Sequence, residues 1–262
     1  MPDQVGEQDI WGTRFNEIVK GYSYEEFKLK QVCKLETTSS WTNKYYTETS
    51  AELTGGPQDA IKGVPKLANF PEVNPSWTLV TATLKKYAAQ AHISWEEVQT
   101  NQFDTISRIL VKTSRAVASA VDLDIYSGLT GASGINTTAS SAAWAVGGAT
   151  GNPVQDITVA IRKIAEAGYD AHMGGYLLLS PLDYSTLLQY IHAKGAQGMV
   201  HSEKVLSNGT VGSFLGLTVI VSTSVTADEA MVIIGQKAAT WVSVGGLQSA
   251  TEISKGVSYT VK

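Results

Sequence analysis

The chain has 262 residues, of which 43% are hydrophobic, so it can bury a sizeable core in one large domain or two modest ones. Its formal net charge of −4 provides no basic field for tight nucleic-acid binding, and its single cysteine, Cys33, excludes an internal disulfide and a zinc cluster of thiolates. The first residues lack a signal-peptide pattern and the apolar runs are too short to cross a bilayer, which predicts a protein of a reducing, cytosol-like compartment with no membrane partner.

The first third of the chain predicts an arm and a ribbon. Residues 1–34 favour an irregular N-terminal arm. The Thr-, Trp- and Tyr-rich segment Leu35–Leu53 favours a strand, and glycines and prolines follow it. The stretch Trp77–Ser94 predicts a second strand, which at about 3.3 Å per residue would reach roughly 55–60 Å. Paired together, the two strands would form a long arm, and such a hairpin is marginal in water without a surface to lie on.

A long amphipathic helix is predicted from Phe103 to Ser127, with Gly128 as its stop. The predicted apolar face contains Ile106, Ile109, Leu110, Thr113, Ala116, Val117, Ala120 and Val121. The predicted outer face contains Arg108, Lys112, Arg115, Ser119 and Asp122. Asp122 and Asp124 do not face each other on a helix, so we interpret them as a salt-bridged surface and not as the paired carboxylates of a hydrolase.

The residues after 150 predict an α/β unit. Asn152 before Pro153 and Ser180 before Pro181 each match the start of a capped helix. Three short apolar runs predict buried strands. They are "GYLLLS" (175–180), "LTVIVS" (217–222) and "AMVIIG" (230–235). The tail alternates in the manner of an antiparallel pair.

No residue set predicts chemistry. The four histidines, His92, His172, His192 and His201, have no partner at metal-ligand spacing, and a lone histidine is most often structural. The glycine-rich turn before Asn152 could cradle a phosphate at a helix N-terminus, but it lacks the lysine and the full glycine spacing of nucleotide sites. We therefore predict no catalytic, cofactor-binding or metal residues.

Three stretches, taken in order, resemble the major capsid protein of tailed bacteriophages, a fold that encapsulin shells share. "YLLLSPLDYSTLL" (Tyr176–Leu188) is similar to the family's strand, Pro-x-Asp-aromatic turn and helix. "GTVGSFLGLTVIVS" (Gly209–Ser222) is similar to its Gly-x-Leu-Gly-x-x-Val segment and following strand. The passage Ile93–Leu129 resembles the strand that leads into the family's spine helix. The likeness spans about residues 35–262, and the order of the parts makes it more specific than any single part.

The resemblance implies an α+β fold in four parts. These are an N-terminal arm (1–34), an extended two-stranded loop (35–100), a peripheral domain with the spine helix (101–149 and 236–262) and an α/β apical domain (150–235). The apical domain would gather around capsomer axes, and the extended loop would lie across the adjacent subunit. Many relatives carry a long scaffolding segment before the loop. Since the loop here begins by about Leu35, we expect no such segment, and residues 1–34 do not resemble the cargo-binding helix of encapsulins.

The function implied by the resemblance is that of a non-enzymatic shell subunit. It would self-assemble into pentamers and hexamers of an icosahedral shell around double-stranded DNA, held by weak non-specific contact. Portal, scaffolding and decoration proteins are further implied partners, with assembly in the host cytoplasm and a final location in the virion capsid. An encapsulin-like nanocompartment is the alternative. A soluble α/β enzyme is a further alternative function. It would explain the α/β pattern after Asn152, but it gives the ribbon and the long helix no purpose.

The residues predicted to contact neighbouring subunits lie in or beside the ribbon. Aromatic side chains are favoured at interface centres, and charged ones fix the register of a partner. The predicted contacts are Trp41, Tyr45, Tyr46, Lys62, Lys66, Leu67, Phe70, Trp77, Lys85 and Lys86. In some relatives a loop lysine crosslinks to an asparagine of a neighbour. Because no acid is identifiable here to promote that reaction, we expect non-covalent shells.

Overall fold

The structure, a computed structural model, describes residues 27–47, 62–70, 77–94, 105–132, 134–140, 144, 151–194, 212–245, 251–254 and 258–261. The chain divides into two units. Unit 1 comprises Met1–Glu36, Lys86–Trp241 and Gly245–Lys262, and unit 2 comprises Thr37–Lys85 and Val242–Val244.

The described residues contain three α-helices, a short 3₁₀ helix and eleven strands. The helices are α1 (Thr105–Gly131), α2 (Pro153–Glu166), α3 (Pro181–Lys194) and the 3₁₀ helix Leu29–Val32. The first strands are β1 (Lys34–Thr37), β2 (Thr42–Thr47), β3 (Thr78–Thr83), β4 (Ala91–Ser94) and β5 (Gly175–Leu179). The others are β6 (Ser213–Phe214), β7 (Leu217–Val221), β8 (Ala230–Ile234), β9 (Thr240–Ser243), β10 (Thr251–Ser254) and β11 (Ser258–Val261).

A four-stranded sheet in the order β6-β7-β5-β8 forms the centre of unit 1. Strand β5 runs parallel to β7 and antiparallel to β8. Alternate side chains of β5 enter two different apolar clusters. Leu177 and Leu179 pack with Leu187 and Ile191 of α3, whereas Leu178 packs with the cluster that includes the 3₁₀ helix and α1. Both faces of β5 are therefore covered, which explains why it is an uninterrupted apolar run.

The predicted starts of α2 and α3 are confirmed. Asn152 is the N-cap of α2, and its side chain accepts a hydrogen bond from Gln155 N at 3.2 Å. At α3, Asp183 N donates to Ser180 Oγ at 3.1 Å, and Ser180 Oγ donates to Asp183 Oδ2 at 2.6 Å. The carboxylate oxygen also accepts from Asp228 N at 3.1 Å, so one buried side chain joins the helix start to the loop before β8.

We expect Asp183→Ala to lower the free energy of unfolding by about 2 kcal/mol, because it leaves a buried hydroxyl and a backbone N–H without their acceptor. Urea unfolding followed by circular dichroism measures this loss. Asp170→Ala is the matched control, since the exposed Asp170 also accepts one backbone N–H, from His172 at 2.9 Å. Equal losses for the two variants would show that the Asp183 contacts are not important for stability.

The motif "GSFLG" forms a tight turn between β6 and β7. Leu215 and Gly216 both have positive φ, 50° and 79°, as a two-residue type I′ hairpin requires. A Cβ at position 216 would also lie 2.8 Å from Nδ1 of His172. The second glycine of the motif is thus fixed both by the turn and by the close approach of a side chain.

The predicted long helix is present as α1, but its end and its buried face differ from the prediction. It continues past Gly128 to Gly131, because a glycine lowers helix stability by only about 1 kcal/mol. Phe103 and Asp104 lie outside the described residues. Ala116 and Ala120 are exposed, whereas Ser114 and Asp122 are buried. The inner face is therefore rotated from the predicted one.

Asp122 is buried because it binds backbone groups of the 3₁₀ helix. Its Oδ2 accepts from Lys28 N at 3.0 Å and its Oδ1 from Leu29 N at 3.3 Å. The predicted surface position of Asp122 is wrong, since these amides replace water as donors. Two tyrosine hydroxyls make further hydrogen bonds close to Asp122 in α1. Tyr87 donates to Asp124 of the helix, and Tyr126 of the helix donates to Glu229 Oε2 at 2.5 Å. Burial, followed by these carboxylate contacts, raises the pKa of both tyrosines.

The predicted continuous strands, Leu35–Leu53 and Trp77–Ser94, are wrong. The first segment contains β1 and β2 separately, and the second contains β3 and β4 with residues 84–90 between them. Their partners differ, since β2 pairs with β3, β1 with β9, and β4 with β11. The predicted antiparallel tail is present as β10 and β11, and β4 adds to it as a third strand. These pairings are non-local and do not follow from the alternation of each segment alone.

Candidate assembly surface

Unit 2 is organised around a ribbon of two antiparallel strands, β2 and β3. Six residue pairs join them, from Thr42 opposite Thr83 to Thr47 opposite Thr78. Leu84 N donates to Trp41 O at 3.0 Å and extends the ladder by one bond. Threonine and tyrosine are frequent in both strands, and these residue types favour an extended backbone. The sequence therefore specifies a ribbon, although one shorter than predicted.

No described residue of unit 2 is buried. The exposed fraction is 66% for Trp41, 68% for Tyr46, 60% for Trp77 and 50% for Leu79. The rings of Tyr46 and Trp77 lie 6.3 Å apart, a contact of two exposed aromatics with each other. A two-stranded ribbon is marginally stable at best when water surrounds it. The aromatic side chains of unit 2 are thus available to a partner.

The described segment 62–70 presents two further apolar side chains on a strained turn. Ala68 N donates to Pro65 O at 3.1 Å, and Leu67 has a φ of 69° at the third position of the turn. That position of a type II turn normally holds glycine, because a side chain is strained there. Leu67 and Phe70 are nonetheless almost fully exposed. Leu67 is thus an exposed apolar side chain on a backbone conformation that favours glycine.

If the chain forms the shell that the sequence resemblance implies, we expect Leu67→Gly to weaken its assembly and to leave the subunit at least as stable as the wild type. Glycine adopts positive φ at little cost, while the apolar contact is lost. Leu67→Asn is the matched second variant, since asparagine also tolerates this conformation and keeps a side chain. Thermal melts of subunits and the protein concentration needed for shells measure the two effects. Assembly at wild-type concentrations by both variants would show that Leu67 makes no contact.

The two units differ in net charge. In the described parts of unit 2 the charged residues are all exposed lysines, namely Lys44, Lys62, Lys66 and Lys85. Unit 2 as a whole has four lysines and four acidic residues in its sequence, so the rest of the chain carries the net charge of −4. Over their full sequences, unit 2 is therefore neutral and unit 1 is acidic.

The histidines and the start of α2 are the places where the sequence offered ligand chemistry. No group of three His, Cys, Asp or Glu among the described residues could hold a metal ion. Nε2 of His92 lies 2.8 Å from Nε2 of Gln90. His201 and the side chain of His192 lie outside the described residues. The start of α2 is occupied by its own cap, Asn152, not by an open row of amides. Among the described helices, none is both long and apolar enough to cross a membrane.

Comparison with known proteins identifies the family. The family profile described as phage capsid protein matches residues 78–259. The chain belongs to the phage capsid protein family. No curated protein sequence matches this capsid protein.

Solved structures of shell proteins share the fold of this capsid protein. The virus-like particle from Pyrococcus furiosus matches with a TM-score of 0.61 at 11% identity, covering 96% of this chain and 91% of that chain. The capsid of cyanophage P-SCSP1u matches with a TM-score of 0.60 at 13% identity, covering 89% of this chain and 81% of that chain. The capsid of the native GTA particle matches with a TM-score of 0.57 at 13% identity, covering 90% of this chain and 84% of that chain. At these identities the likeness concerns the fold.

The ten predicted contact residues of the capsid protein are all exposed. Nine belong to unit 2, and Lys86 is the first residue of the second segment of unit 1. Of these residues, Tyr46 and Trp77 are in mutual contact, and Leu67 and Phe70 share the segment 62–70. The prediction omitted Leu79, which lies opposite Tyr46. Its position two residues after Trp77, which directly precedes β3, was the signal that could have identified it.

Proposed function

We propose that this capsid protein self-assembles into a closed icosahedral shell of pentamers and hexamers that encloses a double-stranded DNA genome. The observation that carries the proposal is that unit 2 has no buried described residue and still presents aromatic side chains. Such a segment gains most of its apolar burial from another molecule. Membership of the phage capsid family makes further copies of the same chain the natural partner.

Within a shell, each part of the fold would have a separate task. We assign α1 as the spine helix of a peripheral domain formed by residues 101–149 and 236–262. The sheet with α2 and α3 would form an apical domain, residues 150–235, around the capsomer axes. Unit 2 would be the extended loop that lies across an adjacent subunit. The ten predicted residues, nine of them in unit 2 together with Lys86, would supply the contacts, with aromatics in the centre and lysines at the rim.

Packaged DNA would be held by confinement with weak non-specific contacts, because the chain is negative overall. The protein would have no catalytic centre of its own. Assembly would take place in the host cytoplasm, with portal, scaffolding or decoration proteins as further partners and the virion capsid as the final location.

Negative-stain imaging of the purified protein, followed by analysis of the particle contents, tests the proposal. Regular closed particles are expected, and particles from infected cells should contain nuclease-protected duplex DNA. Particles filled with a protein cargo and no DNA would support a nanocompartment instead. A protein that stays monomeric at high concentration, with and without co-expressed scaffolding protein, would refute shell formation.

A further inference from the structure

The first half of α1 presents three exposed cations, Arg108, Lys112 and Arg115. They are four and three residues apart, and this spacing places their side chains on one face of the helix. At a rise of 1.5 Å per residue, the three positions extend over about 10 Å of the helix axis. We call these three side chains the cationic row of α1.

The cationic row lies in a segment whose sequence contains no acid. Residues 105–121 include neither aspartate nor glutamate, although the chain as a whole has a net charge of −4. The next acid along the helix, Asp122, is buried, and its carboxylate accepts hydrogen bonds from the amides of Lys28 and Leu29. Positive charge is therefore concentrated on one face of α1 in a chain that is negative overall, which fits a polyanionic partner.

The exposed residues that follow the row are small, which distinguishes this face from a protein interface. They are Ala116, Ser119 and Ala120. Among the described residues of α1, the first exposed large apolar side chain is Leu123. The centre of a protein interface is enriched in aromatic side chains and depleted in lysine, which is the opposite composition. Phosphate groups are bound by Arg, Lys and hydroxyl side chains and need no apolar surface.

We propose that the cationic row lines the interior of the shell and contacts the phosphates of packaged duplex DNA. The inference rests on the proposed function, because it requires a shell that encloses DNA, and it assigns the weak contacts of that function to named residues. Duplex DNA carries one negative charge per about 1.7 Å of its axis, so a row of about 10 Å spans several phosphates. Each subunit binds DNA weakly, and the contacts add up over the many copies in a shell.

Lysine acetylation tests the assignment by comparing DNA-filled particles from infected cells with the same particles emptied by osmotic shock and nuclease. Mass spectrometry measures the acetylation rates of Lys112 and of Lys237, an exposed lysine of unit 1 outside α1. Lys112 should react several-fold more slowly in filled particles, while Lys237 reacts equally in both. Equal rates for Lys112 in the two samples, or equal protection of Lys237 by DNA, would overturn the inference.

The remaining outcomes separate this inference from the proposed function. Slow acetylation of Lys112 in filled and emptied particles alike, with fast acetylation in free subunits, would assign the row to a subunit contact and refute the DNA contact. Protection only in shells that contain a scaffolding protein would assign the row to an acidic protein and refute it as well. DNA-filled particles with a reactive Lys112 would preserve the proposed function, whereas particles without DNA would refute both.

Charge-removing variants give an independent test. Arg108→Gln with Lys112→Gln and Arg115→Gln removes the charge of the row, and glutamine keeps the helix preference. Fluorescence anisotropy measures binding of the free subunit to a short DNA duplex as the salt concentration rises. Each lost phosphate contact lowers the salt slope by about 0.9, so the slope should fall by about 2–3.

The matched control for these variants removes three exposed cations elsewhere in unit 1. Its substitutions are Lys34→Gln, Arg162→Gln and Lys237→Gln. Both triple variants should keep the wild-type helix content, and the control should keep the wild-type salt slope. An equal loss of slope in the two variants would show that DNA is attracted by charge in general and would contradict a contact at the cationic row.

Discussion

Replacing Thr47–Leu79 with a short Gly/Ser turn is expected to give a soluble, cooperatively melting subunit that forms no shells. The replaced segment contributes no buried described residue, whereas both apolar clusters of the fold belong to unit 1. The core is therefore retained, and the exposed aromatics of the segment are lost. Light scattering after size exclusion, a thermal melt by circular dichroism and negative-stain imaging measure mass, folding and assembly in the same sample.

The control for this deletion keeps the ribbon and changes one of its strand pairs conservatively, with Thr47→Ser and Thr78→Ser. It should form normal shells. Closed particles from the deletion variant would show that the ribbon does not hold subunits together. A deletion variant that cannot fold would instead place the segment in the core and would refute the division of the chain into two units.

Asp122→Ala is expected to lower the free energy of unfolding by about 3 kcal/mol. It removes the acceptor for the amides of Lys28 and Leu29, and each N–H without a partner costs about 1–3 kcal/mol. The 3₁₀ helix that these bonds attach to α1 contributes the fully buried Leu29 to the core. Urea unfolding gives the loss, and Ser119→Ala on the exposed face of α1 is the control. A loss no larger than that of the control would show that the anchor is unimportant.

The pH dependence of stability separates the charge of Asp122 from its hydrogen bonds. Burial raises the pKa of this carboxyl above its ordinary value of 3.8, and the backbone amides and the charge of Lys28 oppose the rise. The native state therefore binds the proton more tightly than the unfolded chain does. The stabilisation that this bound proton gives the native state is fully present below pH 3.8. It is lost as the pH rises through the pKa of Asp122 in the folded state.

Asp122→Asn lacks this titration and keeps an acceptor for one of the amides. The stability of the wild type relative to Asp122→Asn should therefore increase as the pH falls from 7 towards 3.8. Unfolding curves for both proteins across that range measure the difference. Parallel pH profiles for the two proteins would rule out a raised pKa at Asp122.

Local rules predicted the parts of the fold that local sequence controls. Asn152 with Pro153, and Ser180 with Pro181, mark helix starts through hydrogen bonds within one turn of chain, and both starts were correct. The division of the ribbon segments was missed, because β1 and β4 pair with strands far along the chain. The buried face of α1 was also missed. Asp122 looked like a surface acid, and only the distant amides of residues 28 and 29 explain its burial.

The residue types of the candidate surface could be predicted from the sequence, but the arrangement of those residues could not. Aromatic and lysine residues between Trp41 and Lys86 indicated a contact region, and all ten chosen residues are exposed. Which side chains share a face of the ribbon depends on the register that sets Tyr46 opposite Leu79, which the sequence leaves open. The positive φ of Leu67 was equally hidden, since leucine rarely adopts it.

The pairing of β4 with β11 sets the order of events during synthesis. Ser94 pairs with Ser258, so β4 leaves the ribosome long before its partner is made. At 5–20 residues per second the interval is roughly 10–30 s. Throughout that time β4 has an unsatisfied edge, and the sheet of β4, β10 and β11 cannot close. Closure of this sheet is thus a late event, because it must wait until β11 has been made.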